Sequence, residues 1–402
     1  MTTAAFTPRV KRDVLLLLGV YNPYHQDGIA RYAREAGWVL DHIHAQGGLP
    51  PFWWRGDGMI TLITHPKDYA VWKQLPKRPM VDLSKGWISN AMPPHLRRVG
   101  RGVPRVVEDN AAIARLAAGH FLERGFRHVA LLNIGNFWME TERIPTFRRT
   151  LEAAGACYHE IPYYKHFSLL GPDPGRDQQV AQRWLIEAIR ALPKPVGIFT
   201  SADDIAVMAL RACDAAGVSV PEEAAVLGCD NQRLICEYAP VPLSSVDPDC
   251  EQQGYASAQL LDRLMNGEAP PSEPILIPPK GVVTRQSTNI LAVPHVPVAR
   301  ALLFIWEHFH EPLQISRIAA VAGISRRGLE HAFRQHIHRS ILDEITRCRI
   351  ERARELLLTT DLKASQIAAN TGFSGLMYFS RIFKQVVGVG PRDFRSQHGH
   401  GE

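Results

Sequence analysis

One stretch of this 402-residue sequence restricts the possible folds more than any other, because residues 318–394 hold one pattern twice. The first copy reads IAAVAGISRRGLEHAFRQ (318–335) and the second IAANTGFSGLMYFSRIFKQ (367–385). Ile318/Ile367, Ala319/Ala368, Ala320/Ala369, Gly323/Gly372 and Ser325/Ser374 recur at an offset of 49, whereas Phe333/Phe383 and Gln335/Gln385 recur at 50. The second copy therefore carries one extra residue in its turn or at the start of its second helix. Each copy reads as a short helix, a Gly where the chain turns sharply, a Ser able to cap the next helix, and then that second, amphipathic helix. That is the build of a helix-turn-helix, whose second helix enters the DNA major groove. A single helical hairpin is commonplace; two at this spacing, each with a basic second helix, point to DNA.

Charge agrees with this placement. From His295 onward there are 15 Lys/Arg against 10 Asp/Glu, so +5 of the net +6 lies in the last quarter of the chain. A basic end on a nearly neutral body suggests an anionic partner for that end alone. The six cysteines lie far apart with no C-x-x-C pair, which fits free thiols in a reducing compartment better than a disulfide frame or a zinc site. No run of about 18 apolar residues is present, so no membrane span is expected. The opening RVKRDVLLLLGVY has too short an apolar run (Val14–Leu18) for a signal peptide and no small-residue cleavage site after it. It reads as a first buried strand, and the protein as cytoplasmic.

From Val14 to about Ser287, short apolar runs alternate with helical patterns. Strands are expected at Val14–Leu18, Met59–Ile63, Met80–Leu83, Val103–Val107, Val129–Ile134, Val196–Thr200 and Ala224–Gly228. Helices are expected at Gly28–Ala36, Ala111–Arg124, Thr146–Ala154, Gln178–Leu192, Ile205–Ala216 and Glu251–Met265. Continuously apolar strands between amphipathic helices argue for a parallel, doubly wound α/β architecture, and the length argues for two lobes. Five segments in order carry a resemblance: GDGMI (56–60), EDNAAIARLAAGHFLERGFRHVALL (108–132), TERIPTFRRTLEAAG (141–155), TSADDIAVMALRACDAAGVSVPEEAAVLGCDN (200–231) and LSSVDPDCEQQGYASAQLLDRLMNG (243–267). Together they resemble the sugar-sensing domain of the lactose-repressor (LacI) family and of periplasmic sugar-binding proteins. That family carries a DNA-binding headpiece before the domain; here only about a dozen residues precede the first strand, and the DNA-binding part comes after.

STNILAVPHVPV (287–298) ends the α/β pattern, and Pro294 and Pro297 suit a linker. A helix is expected from Val298 through Ala301, Phe304, Ile305 and Phe309 to Pro312. After the first repeat, Ser340 caps a long helix with Ile341, Ile345, Cys348, Arg352 and Leu356 along one side. About 19 residues span ~28 Å, near the ~34 Å between successive major-groove faces of B-DNA. The second repeat closes in GVGPRDFR (388–395). This last segment resembles the DNA-binding domain of the arabinose-regulator (AraC/XylS) family, where a G-x-x-P-x-x-[FY]-R ending is characteristic. A sugar sensor followed by such a domain resembles the xylose-operon regulator (XylR) family from end to end. The resemblance implies a two-lobed α/β, type I periplasmic-binding-protein-like domain over 10–287, a linker over 288–298, and an all-α tandem helix-turn-helix domain over 299–398. The two helix-turn-helix units are expected at about 315–335 and 364–386.

In the first recognition helix Arg326, Arg327 and His331 project from the exposed face while Leu329 and Phe333 pack inward. Arg is the commonest reader of guanine, and His331 falls at a base-contacting position of the related family. Ser325 and Arg334 suit phosphates. In the second unit Ser374 matches Ser325, Arg381 takes the His331 site and Lys384 suits phosphate. Leu376 and Met377 replace polar residues common there, and are read as touching thymine methyls or resting on the backbone. For the sensor, a sugar requires carboxylates for adjacent hydroxyls, a donor for its ring oxygen and aromatic faces. The resemblance places these on loops after strands: Tyr21, Asn22, Tyr24 and Asp27; Asn136, Phe137 and Trp138; Arg143 as a hydroxyl-binding donor; Asp203 and Asp230 as acceptors. A helix cap for Asp203, a turn position for Asp230 and core packing for Trp138 are the structural alternatives.

Competing chemistry leaves no trace: there is no G-x-G-x-x-G after the first strand, no Walker loop, no G-x-S-x-G and no H-E-x-x-H. His308/His310 and His336/His338 point to different helix faces, and the HGHGE ending reads as a frayed tail, so no metal and no cofactor are expected. The sequence thus reads as a sugar-responsive regulator and not an enzyme. The expected partners are operator or promoter DNA, D-xylose or a related pentose, a second copy in a homodimer, and RNA polymerase if it activates. A regulator tuned to another sugar, or a sugar receptor without DNA binding, are the alternatives.

Overall fold

The computed structural model describes residues 11–18, 22–41, 54–62, 77–84, 102–135, 140–167, 174–290, 295–337 and 339–398. Tyr21, Asn136, Phe137 and Trp138 lie outside them. The chain forms two compact units: one runs to Asn289 apart from Glu123–Phe126, which group with the second, Ile290–Glu402. Among the described residues no helix is long and apolar enough to cross a membrane.

The first unit alternates strands and helices. Its first part holds β1 (Asp13–Leu18), α1 (Pro23–Ala36), β2 (Val39–Asp41), β3 (Gly58–Leu62), β4 (Met80–Asp82) and β5 (Val106–Glu108). The chain continues through α2 (Asn110–Glu123), β6 (His128–Asn133), α3 (Glu140–Ala153), β7 (Cys157–Pro162), α4 (Pro174–Arg190), β8 (Val196–Thr200), α5 (Asp203–Ala216) and β9 (Ala224–Cys229). It ends with α6 (Arg233–Tyr238), β10 (Ser244–Asp247), α7 (Cys250–Met265), β11 (Ile275–Ile277) and β12 (Gly281–Val283). The apolar runs at Val14, Met59, Val129, Val196 and Ala224 become strands buried on both faces, the signature of parallel interior strands.

Two lobes share one plan. In the first, β2-β1-β3-β4 is parallel throughout, and a parallel bridge from Asp82 to Arg105 attaches the β5–β11 pair. The second orders its strands β12-β10-β9-β8-β6-β7, with only β12 antiparallel. Each lobe therefore places its second strand beside its first, followed by the third, fourth and fifth. The order reverses between β1 and β3, and again between β6 and β8, and the carboxyl ends at such a reversal are where open α/β sheets hold ligands. The chain passes between lobes three times: from β5 to α2, from β10 to α7, and from β11 to β12.

Helix α7 returns to the first lobe and packs on α1 at unusually close range. A Cβ on Gly28 would lie 1.9 Å from the Glu251 carbonyl oxygen, and one on Gly254 would lie 2.2 Å from that of His25. Only glycine permits this approach at either position, and it sets the position of the amino end of α1. That end begins earlier than expected: Asn22 accepts from Tyr24 N at 3.0 Å and Pro23 opens the helix, so Tyr24 and Asp27 are helical and not in a loop. Helix α3 likewise starts at Glu140 and tolerates Pro145 within it, which makes Arg143 helical too.

The second unit is all-helical: α8 (Val296–His308), α9 (Ile315–Ala322), α10 (Arg326–Ile337), α11 (Ile341–Thr359), α12 (Ala364–Asn370), α13 (Leu376–Val387) and α14 (Pro391–His398). Ser340 and Asp343 form a reciprocal capping box at the start of α11. This 19-residue helix serves two cores. Its first half gives Ile341, Ile345 and Cys348 to a cluster with α8, α9 and α10, and its second half gives Ile350, Ala353, Leu356 and Leu357 to another with α12, α13 and α14. Arg352, named with them along one side, lies outside both cores, exposed and paired with Glu355 at 2.6 Å. Buried Glu344 accepts from Trp306 Nε1 at 3.0 Å and from Arg347 at 2.8 Å, pinning α8 to α11. The closing G-x-x-P-x-x-F-R motif has a mechanical reason: Phe394 packs on Phe383, and Arg395 donates to the carbonyls of Leu357, Thr360 and Leu362 at the end of α11.

Candidate functional site

In the sensor unit, side chains from both lobes converge on the strand ends around the first crossing. Arg143 is 1% exposed and each of its three nitrogens donates: Nε to Asn110 Oδ1 at 2.6 Å, Nη1 to the Ser201 carbonyl at 2.8 Å and Nη2 to Glu108 Oε2 at 2.6 Å. It thereby joins α3, the end of β5 and the end of β8. Arg143, expected as a hydroxyl-binding donor, acts as a buried strut in this conformation. Glu108 and Asn110 belong to the EDN run at a strand's carboxyl end, and that position is the one signal the sequence holds for them.

Asp203 is likewise engaged from the interior. It is fully buried; its Oδ1 accepts from Ser245 Oγ at 2.6 Å, and its Oδ2 from Gln232 N at 2.8 Å and Cys236 Sγ at 3.2 Å. Burial pushes its carboxyl up to about 6, with those bonds pulling it back. Its work is to hold the turn after β9. In that turn Asp230 N donates to the Val246 carbonyl and Asn231 N to Ser245 Oγ, both at 3.0 Å. Asn231 Nδ2 donates to Asp247 at 3.1 Å, and Arg285 Nη2 donates to Asn231 Oδ1 at 2.9 Å. The anchors keep Asp230 at φ 109° and Asn231 at φ 49°, left-handed values uncommon for such residues.

Asp230 is what this framework presents. Its side chain is half-buried, and among the described residues no hydrogen bond is donated to its carboxylate. Desolvation first, then Asp203 and Glu108, push that carboxyl well above the ordinary range, while Arg143 opposes them. A carboxylate held this way is short of donors.

The amino end of α1 meets this region. Tyr24 Oη accepts from Arg233 N at 3.1 Å, a bond from one lobe to the other. Asn22 is buried and donates to Cys250 Sγ at 3.5 Å, whereas Asp27 faces solvent. His25 Nε2 lies 2.8 Å from Gln253 Oε1. None of His25, Cys250 and Gln253 stands out in the sequence, since each keeps to ordinary helix-face spacing.

The second unit presents two like faces. Ser325 Oγ accepts from Gly328 N at 3.1 Å and caps α10. In the second copy the inserted Gly375 takes the cap position with no side-chain bond, so Ser374 does not cap α13 as expected. This is the physical content of the shift from 49 to 50. Beyond the insertion the copies correspond one to one: Arg327, His331 and Arg334 on α10 match Met377, Arg381 and Lys384 on α13, and all six are exposed. They fall three and four residues apart, on a single stripe of each helix. Met377 is 89% exposed, and Leu376 beside it 44%. Arg381 lies over the Tyr378 ring at 5.4 Å, and Arg326 pairs with Glu330 at 2.9 Å, which leaves Arg327 and Arg334 as the less engaged cations of α10. Gly323 and Gly372 both turn with positive φ, and Gly372 also packs within 2.7 Å (as a Cβ) of the Phe309 and His310 carbonyls.

Comparisons with known proteins bear on both units. Residues 118–288 match the periplasmic binding protein-like domain and residues 318–397 the helix-turn-helix domain. The chain is 30% identical over 346 residues to the xylose operon regulatory protein of Escherichia coli (strain K12), covering 85% of this chain and 84% of that one. It is 30% identical over 302 residues to the protein of the same name from Haemophilus influenzae, covering 73% and 74%. A solved structure of a xylose-binding transcription activator superposes with a TM-score of 0.58 at 26% identity, over 97% of this chain and 99% of that one. With matching lobes, matching tandem helices and similarity running along most of both lengths, the chain belongs to the xylose operon regulatory protein family, sugar-responsive DNA-binding regulators.

Proposed function

We propose that this protein is a cytoplasmic transcription activator whose effector is D-xylose, acting as a homodimer on operator DNA beside RNA polymerase. The observation that carries the effector site is Asp230: a partly open carboxylate, short of hydrogen-bond donors, at the strand ends where Arg143 ties β5, α3 and β8 together. Adjacent sugar hydroxyls are the donors such a group lacks. Tyr24, whose Oη accepts from Arg233 N, reaches the same region from the first lobe. The pentose assignment rests on the two xylose operon regulatory proteins and the xylose-binding activator to which the chain is similar.

Sugar bound at Asp230 draws the lobes together, and in a dimer the change of lobe angle alters how two pairs of recognition helices meet DNA. Four reading helices on one site gain avidity once the geometry allows all to engage. A full switch from 1:99 to 99:1 requires about 5.5 kcal/mol of preference for the closed state. Arg327, His331 and Arg381 read base edges, Met377 and Leu376 meet thymine methyls, and Ser325, Ser374, Arg334 and Lys384 hold phosphates.

Titration calorimetry of the full chain with D-xylose, D-ribose, L-arabinose and D-glucose tests the effector. D-Xylose should bind with the highest affinity, and Asp230→Asn should weaken it at least tenfold while leaving the thermal transition in place. Equal affinity for all four, or an unaffected Asp230→Asn, would overturn the assignment.

A further inference from the structure

A second cluster lies beside this site, at the points where the chain leaves β5 and enters α7. His25, Glu108 and Cys250 are buried, and each offers one donor atom within 4.8 Å of the others. The state of His25 can be read from its neighbour. Gln253 Nε2 donates to the Leu83 and Val106 carbonyls, both at 2.9 Å, which fixes the amide with its oxygen toward His25. Gln253 Oε1, 2.8 Å from His25 Nε2, therefore accepts from it. Nε2 carries the proton and Nδ1 carries the lone pair. That Nδ1 is buried and has no hydrogen-bond partner. An acceptor left so in a protein interior is destabilising, and natural structures rarely leave one without a use.

The neighbours suit a cation. Glu108 gives one oxygen to Arg143 and has a second. Asn22 Nδ2 points a donor at Cys250 Sγ, the contact a thiolate favours. Imidazole, thiolate and carboxylate together are a borderline-soft set, and an amide oxygen on the far ring nitrogen is the outer support metal-binding histidines carry. No local spacing announces the group, because its members come from α1, β5 and α7. We propose that His25 Nδ1, Cys250 Sγ and a Glu108 oxygen bind one divalent cation, Zn2+ fitting best, at the crossing between the lobes. On binding, the Cys250 S–H proton passes to solvent, a metal–sulfur bond forms and no electrons change hands. Three protein ligands leave a fourth position for water.

Cobalt(II) alone is the probe. Chelator-stripped full-length protein titrated with Co2+ should take one equivalent, with a near-ultraviolet thiolate-to-cobalt band and intense visible bands of four-coordinate geometry, all abolished by Zn2+. Cys250→Ser should remove the near-ultraviolet band, His25→Gln should weaken Co2+ at least tenfold, and Cys157→Ser, at an exposed thiol, should change neither. Should Cys250→Ser fail to fold, X-ray absorption on Zn2+-loaded wild type gives the shell directly: one sulfur at ~2.3 Å with nitrogen or oxygen at ~2.0–2.2 Å. Lack of a thiolate band at one equivalent, its survival in Cys250→Ser, or a shell without sulfur would overturn the proposal. D-Xylose calorimetry in chelator reports separately on the effector assignment.

Discussion

Replacing Arg143 by Met keeps the length of the side chain and removes the guanidinium. It leaves Glu108 as a carboxylate 7% exposed and deprives Asn110 Oδ1 and the Ser201 carbonyl of bonds of 2.6 and 2.8 Å. Stranding one partner of a buried ion pair costs about 3–5 kcal/mol, and each neutral bond lost adds about 1 kcal/mol. With partial relaxation a net loss of about 4 kcal/mol is expected, or roughly 8–16 °C in the sensor unit's transition at 2–4 °C per kcal/mol. Glu108→Gln strands the opposite charge and should cost about 3 kcal/mol. Pairing the two changes removes both charges, so the double variant should lose less than the sum of the singles by about 2–3 kcal/mol. The assay is urea unfolding followed by far-ultraviolet circular dichroism and tryptophan fluorescence, fitted with a separate transition for each unit. Additivity within about 0.5 kcal/mol would refute the strut. So would an Arg143→Met protein of normal stability that has lost only sugar affinity, since that is the behaviour of a ligand-facing donor.

Three further outcomes rest on other contacts. Gly28→Ala puts a Cβ at 1.9 Å from a backbone oxygen, so α1 must retreat from α7; a loss of roughly 2–3 kcal/mol is expected, and an unchanged melting temperature would show the approach to be looser. Asp82 is fully buried and accepts from Thr61 and Ser84, and burial raises its carboxyl from 3.8 to about 6. The folded state thus holds the proton more tightly than the unfolded one, and this contribution, whole below pH ~4, is lost as pH rises through about 6; Asp82→Asn should match wild type near pH 4 and exceed it by up to ~3 kcal/mol at pH 8, whereas a gap constant with pH would contradict the assignment. On the DNA side, Arg334→Ala or Lys384→Ala should each reduce the slope of log K against log salt by about 1 without altering sequence preference, while Arg327→Ala or His331→Ala should relax preference at one base pair, costing about 1–3 kcal/mol on the specific site; equal losses on specific and random DNA would assign these last two to the backbone.

The parts legible in the sequence are those governed by local physics. Val14–Leu18 and Ala224–Gly228 show as strands because continuous apolar runs have few other fates, and Gly323 and Gly372 show as turns because their backbone requires it. Strands β7 (CYHEIP) and β10 (SSVD) do not show, because neither carries a continuous apolar run and both owe their form to neighbours already in the sheet. The start of α1 reads too late from the sequence, because the Asn22 cap and Pro23 look equally like part of a ligand loop. In the sensor, Asp230 is legible as a residue after a strand. That Asp203 and Arg143 support it from the interior is not, since their partners at Ser245, Glu108 and Ser201 are distant in sequence. The inequality of the two helix-turn-helix copies is legible in Leu376 and Met377; that the inserted Gly375 relieves Ser374 of capping requires the backbone.

A sugar bound at the strand ends of the first unit should control how the second grips DNA. Fluorescence anisotropy of the full chain on the DNA upstream of its own operon, titrated with and without saturating D-xylose, tests it directly. An affinity gain of at least tenfold is expected with D-xylose, absent with D-glucose and lost in Asp230→Asn while that variant keeps its sugar-free affinity. Superimposable isotherms with and without the sugar, from protein shown by calorimetry to bind it, would rule out sugar control of DNA binding.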